Sequence, residues 1–445
     1  MASTDLTLTG QTPTNNKILT FSAWVKRSAL GYNTIMSWED TSNSSNNFRI
    51  AFRSDDVLQI LDYASSTVMD YRTTQVFRDT SAFYNIVVAV DTTNATANDR
   101  TKLWVNGESV SSFGTQTTYS LNDSTQGQQS GYDCVIGSIN SSYYFNGSMA
   151  HVHFIDGTAY DADTFGETDA TTGIWKPKTA PSVTYGNNGF FLKFENSGAF
   201  GTDSSGNANN FTVNGTMTQT IDTPSNVFAT LNALNKQASS FNLSNGNLTG
   251  QNTTNAWRGL YATLGFSAGK WYWETKVTNL GGTNYISFGI SDAEQMLNAD
   301  GEPSESSRVY VYKHTGQKKN NAVAESYGDT YTTNDIVQIA FDADNGTIWF
   351  GKNGTWQNSA TETEIENGTT TNSAYSGLDT TKTWIPVTEN NNTGIMNMNF
   401  GNGYFGTTAV SSSENPDDGI GIFEYSVPTG YKALCTKSIN AQEYD

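Results

Sequence analysis

The chain has 445 residues and a formal net charge of −19, from 24 basic and 43 acidic side chains. Its longest basic cluster is the short QKKN, which argues against nucleic acid as a partner, because that affinity depends on neutralising phosphates. Aromatic residues make up 12% of the chain and Gly, Asn, Thr and Ser abound, whereas Leu-rich helical patterns are rare. Composition therefore favours an all-β protein with more than one domain.

Short strand-like segments follow one another through the first half of the chain. Each is closed by Gly, Asn, Asp or Ser, which is typical of an antiparallel sandwich or jelly roll. In chain order the segments are KILTFSAWVKRS, NFRIAFRS, VLQILDY, YNIVVAVD, TKLWVNG, CVIGSI, GSMAHVHFIDG and GFFLKFE. We therefore predict a β-sandwich over residues 1–215.

A stretch with Pro224 and no sustained periodicity follows, and we predict that residues 216–239 form a connector. The second half repeats the strand pattern in KWYWETKV, YISFGISD, RVYVYKH, WIPVTE and GIMNMNFG. A second antiparallel β-sandwich is therefore predicted over residues 240–430, with a C-terminal tail at 431–445. The best helix candidate, Ala293 to Leu297, would make about one turn.

The segment VQIAFDADNGTIWF predicts a β-hairpin in the second half. Asn345 and Gly346 supply the two positive-φ residues of a type I′ turn, which would place Phe341 opposite Phe350. The side chains on the predicted core face are those of Val337, Ile339, Phe341, Ala343, Ile348 and Phe350. The earlier YNIVVAVD and TKLWVNG segments follow the same design, which supports two domains of similar architecture.

The cysteines and the N-terminus carry no sign of a secreted or membrane protein. Cys134 and Cys435 fall in different predicted domains, so we expect buried thiols rather than a disulfide. The opening MASTDLTLTG lacks the basic and apolar regions of an export signal, and the chain has no apolar run of about 18 residues. Neither export nor membrane insertion is expected.

Ordered motifs in both halves resemble known domain families. LTFSAWVKRS, FNGSMAHVHFIDG, FGETDATTGIWKPK and DSSGNANNFT resemble the laminin-G-like, concanavalin A-like jelly rolls of proteins from marine tailed bacteriophages. GKWYWETKV, ISFGISD, GDTYTTNDIVQIAFDADNGTIWFGKNG and WIPVTENNNTGIMNMNFGNGYF are similar, in the same order, to a SPRY (B30.2) domain. Together the motifs span nearly the whole chain.

The resemblance implies a structural protein of the virion surface, made in the host cytoplasm. Its expected role is that of a lectin-like tail fibre or adhesin that binds a host-surface glycan or protein and has no enzymatic activity. The alternatives are capsid decoration or a head fibre, with a structural role, and a glycan hydrolase. The expected partners are other virion proteins and a host receptor, and virion symmetry implies a homo-oligomer, a trimer if the protein is a fibre.

One acidic segment offers the residues that a glycan hydrolase would need. TETEIEN places Glu362, Glu364 and Glu366 in alternation, and on a strand two such carboxylates could face one sugar. Its Thr- and Asn-rich surroundings indicate a solvated loop instead, in which nothing would shift a pKa. No catalytic residue is predicted.

Two histidines and an aspartate offer the residues of a metal site. His151 and His153 flank Val152 on a predicted strand, and with Asp156 they could begin a two-histidine, one-carboxylate set. The preferred reading is that both histidines lie on a polar strand face without a metal. The laminin-G resemblance leaves Ca²⁺ open, with turns such as DTTNATANDR as a source of ligands, but assigns no site; no cofactor is predicted.

Aromatic side chains beside polar loops are the candidate ligand-binding residues, because sugars stack on aromatic platforms. In SRVYVYKHTGQKKNN, Tyr310 and Tyr312 alternate with valines and share a face beside a basic loop. Trp356 follows a hairpin tip. We predict that these three residues contact the host surface; the alternative is that they pack in the sheet core.

Overall fold

The computed structural model describes residues 3–237, 241–281, 286–295 and 301–444. Strands account for 44% of the chain and helices for 5%, which confirms the all-β prediction. The chain divides into two compact units, residues 1–219 and 220–445. Part of the helix candidate, including Leu297, lies outside the described residues, and Ala293 begins a turn. No helix in the described ranges has the length and apolar character needed to cross a membrane.

Strands β1 to β16 belong to the first unit. They are β1 Asp5–Thr9, β2 Ile18–Arg27, β3 Asn33–Glu39, β4 Asn46–Phe52, β5 Val57–Ala64, β6 Thr67–Val76, β7 Tyr84–Asp91, β8 Thr101–Val105, β9 Glu108–Ser109, β10 Phe113–Thr117, β11 Asp133–Ile136, β12 Gly147–Asp156, β13 Gly166–Thr168, β14 Trp175–Pro177, β15 Phe190–Leu192 and β16 Thr212–Asn214. Single turns of 3₁₀ helix occur at Ala97–Asp99 and Ala162–Thr164.

Two large antiparallel sheets build the first unit, and β13 pairs with β14 in a separate two-stranded sheet. The strand orders of the two large sheets are β10-β6-β5-β4-β3-β11-β1-β16 and β15-β12-β2-β7-β8-β9. Phe48, Ile50 and Phe52, at alternate positions of β4, join Val88 and Phe154 of the smaller sheet in one buried apolar cluster. Because successive side chains of a strand point to opposite faces, the residues between them on β4 face away from this core.

Strands β17 to β33 and two helices belong to the second unit. They are β17 Leu231–Lys236, β18 Phe241–Ser244, β19 Thr249–Asn252, β20 Arg258–Ala262, β21 Lys270–Asn279, β22 Ile286–Asp292, β23 Val309–Lys313, β24 Gln317–Asn320, β25 Val323–Ser326, β26 Ile336–Asp342, β27 Thr347–Lys352, β28 Thr355–Trp356, α1 Glu362–Glu366, β29 Trp384–Asn390, β30 Ile395–Asn399, β31 Tyr404–Phe405, β32 Thr408–Ala409, β33 Lys432–Ala433 and α2 Thr436–Tyr444. A single 3₁₀ turn occurs at Pro303–Glu305.

The second unit is also built on two packed sheets. Their strand orders are β17-β20-β29-β22-β23-β24-β25 and β18-β19-β30-β21-β26-β27-β28, and β33 pairs in parallel with β21. One apolar cluster contains Trp271, Phe288 and Phe341, from strands of both sheets. A second cluster joins Trp349 to Phe423 of the C-terminal segment. The two predicted sandwiches are therefore present.

The domain boundaries differ from the prediction, since most of the predicted connector and the predicted tail are part of the second unit. Residues 220–237 of the connector fall in that unit, where β17 pairs with β20. In the tail, the carbonyl of Leu434 accepts a 2.9 Å hydrogen bond from the Ala229 amide, and β33 extends a sheet. Sequence periodicity missed these segments because their strands are short and pair with distant parts of the chain.

The predicted hairpin forms, but with a longer loop. Asp342 pairs with Thr347, so four residues rather than two connect β26 and β27. The Asp342 carboxylate accepts hydrogen bonds from the amide and the side chain of Asn345, at 3.0 and 2.8 Å, which stabilises the wider turn. The shift in register is two residues, and an even shift keeps each side chain on its face. The predicted core face is therefore confirmed.

Both cysteines are buried free thiols, as predicted. Cys134 lies in the core of the first unit and Cys435 in the second apolar cluster of the second unit. Burial raises the pKa of each thiol, which keeps both protonated and unreactive.

Candidate binding groove

A polar groove of about 390 Å³ lies on the larger sheet of the first unit. Strands β4, β5 and β6, which are neighbours in that sheet, form its floor. The lining residues are Ser44, Ser45, Asn47, Arg49, Arg53, Gln59, Leu61, Tyr63, Thr67, Asp70, Arg72 and Asn140. The groove is thus a feature of the sheet face that does not pack against the core.

Strand alternation places the charged side chains of the groove. Arg49 lies on β4 and Arg53 lies just beyond its end, an even number of residues away, so their side chains point to the same face of the sheet. Phe48 and Phe52, which precede them in the chain, point to the opposite face and into the core. Cross-strand pairing then sets neighbouring strands in register, with Arg49, Leu61 and Asp70 in one row and Ala51, Gln59 and Arg72 in the next. Three adjacent strands therefore present their polar side chains to one surface.

A continuous set of hydrogen bonds fixes four of these side chains. Arg72 donates from Nε and Nη2 to the two carboxylate oxygens of Asp70, at 3.2 and 2.6 Å. Gln59 Nε2 donates to Asp70 at 2.7 Å, and Gln59 Oε1 accepts from Arg53 Nη1 at 3.2 Å. Linked charge-assisted bonds of this kind hold side chains in defined positions before a ligand arrives.

Most N–H groups of Arg49 and Arg53 make no hydrogen bond within the described residues. Arg49 donates from Nη1 to Asn47 Oδ1 at 3.1 Å, and its Nε has no hydrogen-bond partner in the described part of the chain. The Nε of Arg53 likewise lacks one, and lies 3.7 Å from the exposed carboxylate of Asp55. Both Nε atoms are buried, but a guanidinium has five donors, and the remaining Nη donors of the two arginines are left for a ligand in the groove.

The loop after β11 contributes one wall of the groove through Asn140. Its amide donates to Glu39 Oε1 at 3.0 Å, and the same oxygen accepts from Ser37 Oγ at 2.5 Å. Burial raises the pKa of Glu39, against the lowering effect of these two hydrogen bonds. The buried carboxyl thereby ties the loop to β3 and fixes the position of the wall.

The lining is suited to binding a polar ligand. The lining brings together amide, hydroxyl and guanidinium groups and one carboxylate. These groups can donate hydrogen bonds to the hydroxyl groups of a sugar and accept hydrogen bonds from them. Across the described ranges, no group of three or more His, Cys, Asp or Glu side chains is arranged to hold a metal ion. The arrangement therefore supports recognition of a polar ligand.

The aromatic residues predicted to bind ligand do not form such a surface, and this prediction is corrected. Tyr312 is fully buried and packs beside Tyr331 and Phe350, with ring centroids 5.2 and 5.5 Å away. Trp356 is only 8% exposed and belongs to the second apolar cluster. Tyr310 is partly buried against the core. Alternation correctly placed the two tyrosines on one face, but that face is the interior, where large aromatic rings fill the sandwich.

The basic loop beside those tyrosines is neutralised by its own neighbours. Lys313 and Lys319 contact the Glu302 carboxylate at 2.8 and 2.7 Å, and Lys319 also lies 2.7 Å from Glu305. Lys318 lies 3.4 Å from Glu325. The lysines of this loop therefore form ion pairs with carboxylates of the second unit, which leaves little positive charge to attract an anionic surface.

The acidic segment considered for catalysis forms helix α1, rather than the predicted solvated loop or the strand that catalysis would need. Thr361 caps the helix, since its hydroxyl accepts from the Glu364 amide and the Glu364 side chain accepts from the Thr361 amide. Glu362 Oε1 accepts from Ser426 Oγ at 2.8 Å, and Glu366 Oε1 accepts from the Thr429 amide at 3.0 Å. Each carboxylate thus makes its own local contacts, and Glu364 lies on a different helix face from Glu362 and Glu366, which are four residues apart and share one.

The histidine pair is enclosed by aromatic rings. His153 is 1% exposed, stacks on Phe191 at 3.8 Å between centroids, and lies 3.0 Å from the Tyr185 hydroxyl through Nδ1. Burial lowers its pKa well below the ordinary range, which favours the neutral ring. The prediction that His153 lies on a polar strand face is wrong, because the segment after β12 covers this side chain.

The DTTNATANDR turn is the one named above as a source of Ca²⁺ ligands. In this turn the Asp91 carboxylate accepts hydrogen bonds from the amide and the hydroxyl of Thr93.

The groove residues were not singled out from the sequence, although a signal was present. NFRIAFRS places Arg49 and Arg53 out of phase with Phe48, Ile50 and Phe52, which predicts a partly charged outer face. The partners Gln59 and Arg72 come from other strands, and their proximity depends on sheet order, which the sequence alone does not reveal.

Comparison with known families agrees with this architecture. Residues 2–163 match the concanavalin A-like lectin/glucanase superfamily, and residues 270–376 match the SPRY domain family. The groove strands β4, β5 and β6 all fall within the first match.

Among solved structures, the chain is similar to SPRY domains. The SPRY domain of human HERC1 has a TM-score of 0.30 at 18% identity, with 38% of this chain and 96% of that chain covered. Another human SPRY domain has a TM-score of 0.28 at 14% identity, covering 36% and 94%. Stonustoxin has a TM-score of 0.28 at 15% identity, covering 38% and 27%. On the strength of the family matches, the chain carries a concanavalin A-like domain followed by a SPRY domain.

Proposed function

We propose that this protein is an adhesin of a bacteriophage virion, and that the groove of its concanavalin A-like domain binds a host-surface glycan. The two domains fit a binding role. The observation that carries the proposal is the pre-ordered floor of β4 to β6, where Arg53, Gln59, Asp70 and Arg72 are joined by hydrogen bonds and open to one side. Fixed polar groups lower the entropy cost of holding a flexible sugar.

The location on a virion rests on the ordered sequence motifs that resemble marine phage proteins. In this setting the partners are other virion proteins and a glycan of the host envelope, and the oligomer is symmetric, trimeric if the protein is a fibre. The protein acts by binding and not by cleavage. Capsid decoration is the competing role, in which the groove would have no ligand.

Binding of purified polysaccharides to the full chain tests the proposal. A panel of bacterial envelope and algal polysaccharides is titrated against the wild type and against Leu61→Trp, which inserts a bulky side chain into the centre of the groove floor. Val323→Trp is the matched control, because Val323 is 58% exposed on β25 of the second unit.

We expect saturable binding of at least one polysaccharide that Leu61→Trp removes and Val323→Trp retains, with unchanged thermal unfolding of both variants. Equal binding by the two variants would place the site elsewhere. Absence of binding to the entire panel, together with reduced heat resistance of capsids that lack the protein, would favour decoration.

A further inference from the structure

We infer that the ligand of the groove is an acidic saccharide, one that carries carboxylate or sulfate groups. The inference rests on the proposed function and narrows it to a class of glycan. It follows from the charge of the lining and from the donors that the protein leaves unused.

The lining is basic within an acidic chain. The chain has a net charge of −19, yet the groove is lined by Arg49, Arg53 and Arg72 against one carboxylate, that of Asp70. Asp70 binds Arg72 through both oxygens, so the excess positive charge lies on Arg49 and on Arg53, whose Nε lies 3.7 Å from the exposed Asp55 carboxylate. A cleft of one sign attracts ligands of the opposite sign against the field of the whole chain.

The unused donors point to an acceptor with negative charge. Arg49 and Arg53 each make one side-chain hydrogen bond within the described residues, both from Nη1, to the amide oxygens of Asn47 and Gln59. Those partners are neutral. The planar fork of a guanidinium matches carboxylate and sulfate oxygens in pairs, and such charge-assisted bonds are stronger than bonds to hydroxyl groups.

The arginines also have the access that a ligand requires. The side chain of Arg53 is 27% exposed and that of Arg72 is 36% exposed, while Asp70 beneath them is 7% exposed. The carboxylate is therefore held in the floor, and the cations stand nearer the solvent. Because the arginine side chains are more exposed than the carboxylate of Asp70, the groove favours the binding of an anion over that of a cation.

The test compares three probes on the full chain: alginate for carboxylate, carrageenan for sulfate, and the neutral glucan laminarin. The variant is Arg49→Gln with Arg53→Gln, which keeps a polar hydrogen-bonding side chain but shortens it and removes both charges. Lys102→Gln is the control, since Lys102 is a 49% exposed cation on β8 of the smaller sheet. Calorimetry shows whether each variant keeps the unfolding transition of the wild type.

We expect alginate or carrageenan to bind the wild type, and the double variant to lose affinity by on the order of tenfold to a hundredfold. Lys102→Gln should bind as the wild type does. Raising NaCl from about 50 mM to about 500 mM should weaken wild-type binding by roughly tenfold, because screened charges contribute less. If the double variant does not fold, this salt dependence of the wild type tests the inference in its place.

Laminarin binding that Leu61→Trp abolishes, but that neither salt nor the arginine variant changes, would overturn the acidic class and leave the groove as a glycan site. If no probe binds but another polysaccharide of the panel does, the acidic class is contradicted; if nothing in the panel binds, the proposed function is contradicted as well. Whichever of alginate and carrageenan binds more tightly identifies the anionic group.

Discussion

Asp56 closes the turn between β4 and β5 at the Arg53 end of the groove, and its removal should destabilise the first unit selectively. Its carboxylate accepts from Arg27 Nη2 at 3.0 Å, from the Gly31 amide at 3.0 Å and from Arg78 Nε at 3.1 Å. Arg27 is fully buried, with its guanidinium 4.5 Å from the centroid of the Phe52 ring. Asp56→Asn keeps the size of the side chain and suits the positive φ of 66°.

The expected cost follows from the charge that the substitution leaves behind. Loss of one partner of a buried ion pair costs about 3–5 kcal/mol, because the other charge stays out of water without compensation. For a unit of this size, 1 kcal/mol corresponds to about 2–4 °C in Tm, so the first transition should fall by roughly 6–20 °C. The second unit should unfold at its usual temperature, since it is a separate compact unit.

Differential scanning calorimetry of the full chain measures this difference, with one transition expected for each unit. Arg78→Gln is the matched control, because it removes the partner of Asp56 that is 57% exposed and should cost no more than about 1 kcal/mol. Equal shifts in the two variants would refute the account of a buried pair.

The pH dependence of the same variant gives an independent check. Burial by itself raises the pKa of Asp56. Hydrogen bonds from Gly31, Arg78 and Arg27, together with the charge of Arg27, lower the pKa by a larger amount in total, so the pKa of Asp56 in the folded state is below its ordinary value. A lowered carboxyl pKa stabilises the folded state above the unfolded pKa and loses that effect as pH falls. The difference in Tm between wild type and Asp56→Asn should therefore be constant near neutral pH and shrink below about pH 4.

Three further predictions concern the second unit, each measured by its calorimetric transition. Gly346→Ala should destabilise it by about 1–3 kcal/mol, since Gly346 has φ 58° and a Cβ would lie 2.1 Å from the Leu378 carbonyl oxygen; Gly377→Ala, with φ 72° and open space, should cost less, and equal losses would contradict the steric argument. Burial raises the pKa of Glu274 from 4.5 to about 7, so the folded state holds a proton that the unfolded state releases; stability should fall as pH rises through this window, and Glu274→Gln should reduce the slope, whereas an unchanged slope would contradict it. Tyr312→Ala should cost about 3–5 kcal/mol without affecting polysaccharide binding by the first unit, and lost binding with normal stability would restore Tyr312 as a ligand contact.

Hydrophobic periodicity predicted most of the fold, because the side chains along these strands alternate between the two faces of the sheet. It placed Phe341 and Ile348 on one core face even though the turn was two residues longer than expected. The length of the turn depends on Asp342, whose carboxylate binds the Asn345 amide and side chain. Such contacts between a side chain and a loop are not encoded in hydrophobic periodicity.

The prediction of a solvated loop at TETEIEN was wrong, because it left out a capping signal. TETEIEN has the alternation of a strand, yet Thr361 followed three residues later by Glu364 is the pattern of a helix capping box, and this local signal prevails. The same limit applies to aromatics, because alternation shows that Tyr310 and Tyr312 share a face but not whether that face is interior. Their burial depends on the sheet that packs over them.

The groove could be predicted only in part. The outward position of Arg49 and Arg53 follows from NFRIAFRS, but their meeting with Gln59 and Arg72 requires the order β6-β5-β4 and its register. Asn140 reaches the groove from a loop 68 residues beyond Arg72 in the chain. A site assembled from separate strands and a distant loop becomes visible only in three dimensions.

The central claim is that the groove of the first unit holds an anionic glycan, and a crystal structure of the full chain with an oligosaccharide of alginate tests it most directly. We predict electron density for the sugar over β4, β5 and β6, with carboxylate oxygens within hydrogen-bond distance of Arg49 and Arg53. Density for the sugar on the second unit, with the groove holding only solvent, would contradict the claim.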